Sequence, residues 1–365
     1  MTHKTESHSM NYTAESLTRL AHRVLSSFGC ADVEASIVSD HLVQANLAGH
    51  DSHGIGMLPM YGAQLRDGNL IANQTPQFLQ RNGAVSVVDA RKGFGHHMTI
   101  LALDHAMETI AENGVAILAL RNSGHISRVG TYSEYCASRG YVSIHMVNVI
   151  GHDPVVAPFG AREGGFSTNP ISMAMPHDGK AEPLLDMATS MVAFGKIRVA
   201  HNKGEQLPPG WVLDAEGMDT IDPAPMATDK IGALSAFGAH KGSGLGIFAE
   251  LMAGALAGTN TIAQAATFPN GVHNNMLSII LDPAAFDDPQ AVSERASTYG
   301  DFIRSRQPAK GREAVLLPGD PENISRAERS AHGVPVDDET IRQILETARD
   351  FEVPEEDLAD ILEAS

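Results

Sequence analysis

The feature that most constrains the fold is a succession of apolar segments with two different periods. The segments "AVSVVDA" (84–90), "VAILAL" (115–120) and "YVSIHMVNV" (141–149) have the short, β-branched or alternating pattern of strands. Residues 96–114 and 132–140 lie between them, have helical character and end at a glycine. The order strand, helix, strand, helix, strand predicts an α/β core.

Helical patterns flank this core at both ends of the chain. Residues 14–48 carry apolar stripes at helical spacing, and the chain ends in polar amphipathic helix. We therefore expect residues 12–78 and 325–365 to form one helical domain, around a sheet-containing core of residues 79–324. Residues 1–11 are polar and are predicted to be a disordered leader.

The later part of the core gives weaker patterns. Strands are predicted near 171–175, 183–186 and 276–282, and helices at 188–204 and 245–258.

Composition excludes several classes of function. The 365 residues carry a formal charge of −18, which argues against non-specific binding to nucleic acid or to an anionic membrane. Cys30 and Cys136 are the two cysteines and form no paired motif, which is typical of a reducing compartment. No apolar run approaches the ~20 residues of a membrane span, and the first residues lack a secretory apolar core. A cytoplasmic location is expected.

The segment "GHDSHGIGMLPMY" (49–61) concentrates polar groups at the end of an apolar helix. It is compatible with helix capping, a metal site or an acid–base centre. His50, Asp51 and His53 do not have the spacing of a known zinc or two-histidine-one-carboxylate motif, so no metal is predicted.

A second polar segment, "RNSGHISRVG" (121–130), directly follows the strand at 115–120. Loops at strand ends are where α/β proteins gather reactive groups. The unperturbed pKa of histidine, ~6.5, suits proton exchange near neutral pH, which favours an acid–base role for His125. No G-x-S-x-G motif indicates a serine nucleophile.

The segment "HKGSGLG" (240–246) precedes a helix and is rich in glycine. It lacks the third glycine of G-x-G-x-x-G and the order of a P-loop, so a dinucleotide would not be bound through an ordinary Rossmann fingerprint. These glycines allow either close backbone packing or a phosphate contact, and the adjacent His240 and Lys241 favour the phosphate.

Six ordered segments together resemble a known family. They are "LAGHDSHGIGMLPMY", "LRNSGHISRVG", "VAPFGAREGGFSTNP", "LLDMATSMVAFGKIRVA", "HKGSGLG" and "LLPGD". Their order is similar to that of the type 2 malate/L-lactate dehydrogenases, a family of NAD(P)-dependent oxidoreductases. Within it, the chain most resembles the hydroxycarboxylate dehydrogenase B type, which reduces 2-oxo acids such as 2-oxoglutarate and aromatic pyruvates.

The resemblance implies a non-Rossmann dinucleotide-binding fold with a mixed, largely antiparallel sheet and a helical domain built from both ends of the chain. It implies that the helical domain holds substrate and forms the dimer, that residues 79–324 bind NAD, and that the active site of a homodimer lies near the interface.

The resemblance also implies roles for individual residues. His53 and His125 match two active-site histidines, and Ser52 and Tyr61 match positions that line the substrate. The expected cofactor contacts fall in four segments, which are Ser127, Arg128 and Val129; Leu184, Leu185, Asp186, Met187 and Ala188; His240 and Lys241; and Gly319, Asp320, Pro321 and Glu322.

The chain departs from the family pattern at two positions. Asp320 replaces a glutamate, which shortens the reach of the carboxylate toward the cofactor. Met57 stands where many members have an arginine suited to bind a substrate carboxylate. Our hypothesis is that Arg128, or Lys196 or Arg198, binds that carboxylate instead.

These observations predict a dehydrogenase that moves a hydride between NAD, or NADP, and a small 2-oxo or 2-hydroxy acid. We expect His125 to exchange the proton with the substrate and His53 to bind or polarise it. The alternative within the same family is an NADPH-dependent reductase of cyclic imino acids. The other class considered is a metal-dependent hydrolase or a non-enzymatic binding protein.

Overall fold

A seven-stranded mixed sheet forms the centre of the molecule, which was analysed as a computed structural model that describes residues 9–358. In spatial order its strands are β2 (Gln77–Asn82), β3 (Val85–Asp89), β4 (Val115–Gly124), β11 (His273–Leu281), β5 (Val142–Ile150), β6 (Ile171–His177) and β7 (Lys180–Met187). Only the pair of β3 with β4 is parallel within this sheet. The predicted mixed, largely antiparallel sheet is therefore confirmed.

Two smaller sheets accompany the central one. β1 (Ser9–Tyr12) pairs with β12 (Val334–Asp337), and β8 (Val212–Leu213) lies between β9 (Asp219–Thr220) and β10 (Ala233–Leu234). Residues 1–8 of the predicted disordered leader lie outside the described residues. Residues 9–11 belong to β1, so the prediction of disorder was wrong there, because a partner strand from the far end of the chain satisfies their backbone groups.

Helices complete the fold. They are α1 (Ala14–Ser27), α2 (Asp32–Leu47), α3 (Leu58–Arg66), α4 (Gly95–Met107), α5 (Ile110–Asn113), α6 (Gly130–Ala137), α7 (Phe194–Lys203), α8 (Ala224–Ala227), α9 (His240–Ala249), α10 (Pro289–Arg304), α11 (Asp320–His332) and α12 (Asp338–Asp350). None of the helices in the described residues is long and apolar enough to span a membrane.

The N-terminal and C-terminal helices share one apolar core. Leu20, Val24 and Leu42 of α1 and α2 pack in the same cluster as Ile341 and Ile344 of α12. The two ends of the chain thus form one helical body, as expected, and β1 with β12 ties them together. The domain boundaries at 78/79 and 324/325 stay predictions. Strand β2 begins at Gln77, two residues before the predicted start of the sheet-containing core.

Three predicted helices have different limits in the structure. The helix expected at 96–114 is interrupted between α4 and α5, and the one expected at 188–204 begins only at Phe194. The helix expected at 245–258 begins at His240 and continues beyond Ala249 as a π-helix, Glu250–Ala257. The π segment starts where the buried carboxylate of Glu250 accepts hydrogen bonds from Asn148 and Asn169, an interaction that no local pattern reveals.

Candidate active site

The turn that carries His53 is wrapped around the side chain of Asn46, near the end of α2. The Asn46 amide donates to Asp51 Oδ1 at 2.8 Å, and its Oδ1 accepts from the Ile55 N–H at 2.9 Å. A Cβ at Gly54 would lie 2.1 Å from Asn46 Oδ1, so only glycine fits there. Asp51 is also bound by Arg329 of α11 at 2.6 Å, which fixes the turn to the C-terminal helices.

The loop that carries His125 begins at the end of β4 and is held by hydrogen bonds of the backbone N–H and carbonyl of Ile126. The Ile126 N–H donates to Asn274 Oδ1 at 3.0 Å, and its carbonyl accepts from the Tyr132 hydroxyl at 2.6 Å. Ser127 has a φ of +59°, and its hydroxyl donates to the His53 carbonyl at 2.7 Å. Ser127 therefore connects the two segments that carry the predicted catalytic histidines.

The structure brings His53, Tyr61, His96 and His125 together, and we call these four residues the imidazole cluster. The rings of His53 and His125 stack with centroids 5.8 Å apart and an interplanar angle of 19°. The Tyr61 hydroxyl lies 2.9 Å from His125 Nδ1 and 3.4 Å from His96 Nε2. The two predicted catalytic histidines are thus neighbours, and Tyr61 contacts one of them directly.

Burial keeps the imidazole cluster neutral at physiological pH. It lowers the pKa of His125 to about 3, with a further contribution from His53. Burial, His50 and Arg128 lower the pKa of His53 to about 4, although part of the side chain remains exposed. Burial likewise raises the pKa of Tyr61 well above its usual value. Each imidazole therefore has one N–H and one lone pair to offer.

A second group of residues, which includes Arg128 next to Ser127, contains ion pairs. We call His50, Arg128, Glu134, Asp186 and Glu322 the charged cluster. Arg128 is 2% exposed and pairs with Glu134 at 2.9 Å and with Asp186 at 3.1 Å. Glu322 lies 3.3 Å from His50 Nε2, and that hydrogen bond lowers the pKa of Glu322.

The charged cluster affects the interpretation of Arg128. Its guanidinium already faces two carboxylates, which together raise its pKa against the opposing effect of burial. Nη1 and Nε lie next to these carboxylates, and Nη2 has no hydrogen-bond partner among the described residues; the binding of a substrate carboxylate by Arg128 stays a prediction. Burial also raises the pKa of Asp186, while Arg128 opposes the rise.

Most predicted cofactor residues meet at the charged cluster. Leu184, Leu185, Asp186 and Met187 lie on β7, and Ala188 follows it directly. The Leu184 N–H donates to the Pro318 carbonyl at 3.0 Å, which places the loop before Gly319 beside β7. Pro321 and Glu322 are in the first turn of α11, and Val129 precedes α6.

Asp320 has a different set of contacts from those expected. Its carboxylate binds the Arg304 guanidinium at 2.7 Å and accepts from the Leu317 N–H at 2.7 Å. The Arg304 hydrogen bond lowers the pKa of Asp320. These contacts hold the loop at the start of α11, and the expected contact of Asp320 with the cofactor stays a prediction.

His240 and Lys241 begin α9, in a different part of the chain from β7. The ring of His240 lies edge-on to Phe159, with centroids 5.7 Å apart. Ala239, just before the helix, has a φ of +55°, a conformation that costs an L-residue about 1–3 kcal/mol. A Cβ at Gly244 would meet nothing within 4 Å, so open space lies beside this first part of the helix.

Ser52 and Met57 lie near the imidazole cluster but make different contacts. The Ser52 hydroxyl lies 3.1 Å from His53 Nδ1. A Cβ at Gly195 would lie 3.8 Å from the Ser52 Cβ, so the start of α7 approaches this turn. Met57 is half-buried and packs against the apolar core of the helical body.

His96 is a member of the site that the sequence did not single out. It is fully buried in the first turn of α4, because α4 begins against the His125 loop: a Cβ at Gly95 would lie 2.4 Å from the His125 carbonyl oxygen. The segment "GFGHHM" gave one signal, a glycine next to a histidine ahead of a helix. In residues 9–358, no group of three or more potential ligands could hold a metal ion.

A mixed sheet with a helical body, and stacked neutral histidines between them, define an α/β enzyme suited to acid–base chemistry. The family model for malate/L-lactate dehydrogenase matches residues 12–345. The chain is 39% identical to hydroxycarboxylate dehydrogenase B of Escherichia coli O157:H7 over 89% of this chain and 90% of that protein. It is 35% identical to L-lactate dehydrogenase of Cupriavidus necator, over 88% and 92%.

Solved structures agree with these matches. An Escherichia coli structure assigned to malate/lactate dehydrogenase has a TM-score of 0.92 and 37% identity, and the match covers 97% of this chain and 99% of that one. The chain therefore belongs to the malate/L-lactate dehydrogenase family, as the six motifs predicted. It is an oxidoreductase of the hydroxy acid dehydrogenase type.

Proposed function

We propose that the protein interconverts a small 2-oxo acid and the corresponding 2-hydroxy acid with NAD(H), or alternatively NADP(H), as cofactor. The observation that carries this proposal is the imidazole cluster. His125 is 9% exposed, stacks on His53, and has Nδ1 engaged by Tyr61. The opposite ring nitrogen, Nε2, is therefore the atom available to a substrate oxygen.

In this reaction His125 moves the proton. During reduction, Nε2–H of His125 protonates the oxygen of the substrate as negative charge develops there, and during oxidation the same nitrogen takes the hydroxyl proton. His53 and Ser52 hydrogen-bond the substrate beside it. General acid–base assistance of this kind contributes about 10²–10⁴-fold to the rate.

The substrate carboxylate needs a cation, and we propose Lys196. Met57 cannot supply one, and Arg128 is already paired with two carboxylates. Lys196 is exposed in the first turn of α7, one residue after Gly195, which approaches Ser52. An ammonium at that position can pair with a carboxylate while the carbonyl points toward the histidines.

The residues that would hold the dinucleotide are those near Asp186, Glu322 and the start of α9. Arg128 Nη2 is buried without a hydrogen-bond partner among the described residues, which fits a polar group of a bound cofactor. The N-terminus of α9, with Lys241 and open space at Gly244, fits a phosphate. A bound nicotinamide cofactor supplies the hydride.

We also propose that the protein is a homodimer in the cytoplasm. Along α9 and the π-helix, five large apolar side chains are exposed: Leu245, Ile247, Phe248, Leu251 and Leu256. A stripe of this kind, beside predicted cofactor residues, fits a self-complementary contact with a second copy. Free buried Cys30 and Cys136 support a reducing compartment.

A panel of 2-oxo acids and cyclic imino acids, assayed with NADH and NADPH, tests the function. We expect 2-oxo acids to be reduced and nucleotide fluorescence to change on binding. No binding of either nucleotide at millimolar concentration would refute the proposal, and reduction of cyclic imines alone would replace its substrate class.

Two matched pairs of variants test the finer assignments. Lys196→Gln should raise KM for the 2-oxo acid at least about tenfold, the effect of a lost charged hydrogen bond, whereas Arg198→Gln should not. Equal effects of the two variants would eliminate Lys196.

The second pair tests the dimer. Phe248→Asp should give a monomer in light scattering, whereas Phe286→Asp, also at an exposed aromatic residue, should not. A wild-type monomer would refute the dimer.

A further inference from the structure

Tyr61 links two buried imidazoles through a single hydroxyl. Its oxygen lies 2.9 Å from His125 Nδ1 and 3.4 Å from His96 Nε2. A phenol has one proton, so when Tyr61 donates to one ring it must accept from the other. The tautomers of His125 and His96 are therefore coupled: if Nδ1 of His125 accepts, Nε2 of His96 must carry the proton, and the reverse.

The series continues from His96 to His41 on α2. Their rings lie edge-on with centroids 5.6 Å apart. The Nδ1 atoms of both rings are buried and have no hydrogen-bond partner among the described residues, each other included, so a proton passes between the two rings only through a bridging water. His96 is fully buried, whereas His41 keeps part of its surface exposed, so the rings lead from His125 toward solvent.

Simple packing does not account for these residues. A buried polar nitrogen without a partner costs about 1–3 kcal/mol, and an apolar side chain of similar size at position 96 would avoid that cost. The chain nevertheless has a fully buried imidazole beside Tyr61, with one nitrogen on the hydroxyl and the other unpaired. That arrangement is suited to pass a proton from one ring nitrogen to the other.

We propose that Tyr61, His96 and His41 form a proton relay between Nδ1 of His125 and solvent; this inference rests on the proposed function. During reduction, the Nε2 proton of His125 goes to the substrate oxygen, the Tyr61 proton goes to His125 Nδ1, and the His96 Nε2 proton goes to the Tyr61 oxygen. A solvent proton, passed from His41 across that water, then binds His96 Nδ1. One proton is consumed, every group ends neutral, and oxidation runs the series backward.

Neutral rings are what such a relay requires. Burial lowers the pKa of His41 to about 4, with a further contribution from Arg128, and lowers that of His96 well below its usual value. Each ring therefore keeps a donor and an acceptor at neutral pH, and no member holds the proton as a stable cation.

Kinetics of His96→Gln provide the first test, because an amide keeps a hydrogen bond to Tyr61 but does not exchange its proton between two nitrogens. We expect kcat to fall about tenfold or more, within the range of lost acid–base assistance, while KM for the 2-oxo acid changes less than about twofold. The solvent deuterium isotope effect on kcat should increase. The matched control is His145→Gln, another fully buried histidine, bound to Ser278 at 2.8 Å and outside the relay.

His41→Ala, which leaves space for an added imidazole, tests the outer end of the relay and serves if His96→Gln does not fold. It should also lower kcat and raise the isotope effect, and added imidazole at tens of millimolar should restore part of the rate. If kcat and the solvent isotope effect are unchanged in every one of these variants that folds, the relay is overturned. A wild-type protein that neither binds nucleotide nor reduces 2-oxo acids would instead refute the proposed function.

A measurement without turnover completes the test. Long-range proton–nitrogen spectra of histidine-labelled protein, without cofactor, report the tautomers of His125 and His96. Tyr61→Phe should shift the tautomer populations of both rings, because it removes the hydroxyl that couples them, and should leave His145 unchanged. A change at one ring only, or at neither, would contradict the coupling.

Discussion

Ser127 separates His125 of the imidazole cluster from Arg128 of the charged cluster along the chain, and burial affects these two residues differently. In the imidazole cluster, burial suppresses charge: the pKa of His125 is held at about 3 and that of His53 at about 4. In the charged cluster, burial is offset by partners, and Arg128 keeps its charge between Glu134 and Asp186. The first cluster can gain or lose protons during a reaction, whereas Arg128 in the second keeps a fixed charge.

Within residues 125–128, His125 is therefore suited to proton exchange and Arg128 to stabilising the fold. A neutral imidazole costs less to bury than an ion and can change its tautomer. A buried ion pair costs several kcal/mol of desolvation for each ion, so removing one partner leaves an uncompensated charge. We therefore expect substitutions in the imidazole cluster to affect turnover first, and substitutions in the charged cluster to affect stability first.

The largest expected effect is on turnover. His125→Ala should lower kcat about 10²–10⁴-fold, because it removes the group that exchanges the proton. The free energy of unfolding should fall much less than the rate implies, and nucleotide binding should persist. Steady-state kinetics and fluorescence titration check both parts. If His53→Ala lowers kcat equally, the assignment of the proton transfer to His125 alone does not stand.

The next effect is on stability and comes from the charged cluster. Arg128→Met should lower the free energy of unfolding by about 3–5 kcal/mol, because Glu134 and Asp186 lose their buried cation. Arg304→Met is the matched control. Arg304 pairs with Asp320 at 2.7 Å and its side chain is about a third exposed, so loss of this ion pair should cost about 1 kcal/mol or less. Urea denaturation distinguishes them, and equal losses would contradict the proposed division.

Part of the difference between the two clusters could be predicted from the sequence, and the rest could not. The turn at His53 and the loop at His125 were identifiable because each concentrates polar residues next to an apolar element. The position of His96 depends on Gly95 packing against the His125 carbonyl, which is a tertiary contact. The ion pairs of Arg128 with Glu134 on a helix and with Asp186 on a distant strand are tertiary contacts that the sequence does not reveal.

The same limit applies to the fold. Alternating and helical patterns predicted the central strands and the shared helical body. The pairing of β1 with β12 joins residues more than 300 positions apart, and short strands with few apolar residues give no pattern to detect. The switch from α9 to π-helix likewise depends on the partners of Glu250, which come from two separate segments.

The pH dependence of stability sharpens the comparison. The unfolded histidines titrate near pH 6.5, whereas burial and His53 hold the folded pKa of His125 at about 3. The unfolded state therefore takes up protons first, and stability that is full above pH 6.5 is lost as the pH falls toward 3. Each such histidine contributes up to about 1.4 kcal/mol per pH unit. Urea midpoints at pH 7.5, 6 and 5 measure the slope.

A variant of His125 measures how much of this pH dependence of stability comes from that residue. His125→Gln should make the free energy of unfolding less dependent on pH between 6.5 and 5, because the new side chain does not titrate. Arg304→Met should leave the slope as it is, since neither it nor its partner Asp320, whose pKa is lowered from 3.8, titrates in that window. A slope that is the same in all three proteins would mean that other groups dominate acid denaturation.

The smallest expected effect concerns Ser127, which connects the two clusters. Its hydroxyl donates to the His53 carbonyl at 2.7 Å, and Ser127→Ala removes that bond while it retains a side chain at the same positive φ. The free energy of unfolding should fall by about 1 kcal/mol, and by less for Ser138→Ala, whose hydroxyl also donates to a backbone carbonyl, at 2.8 Å, but on the surface. The two variants should differ in turnover: only Ser127→Ala should lower kcat, about threefold to tenfold, because a small misplacement of catalytic groups is costly. Equal kcat values would mean that Asn274 and Tyr132 hold the His125 loop without help from Ser127.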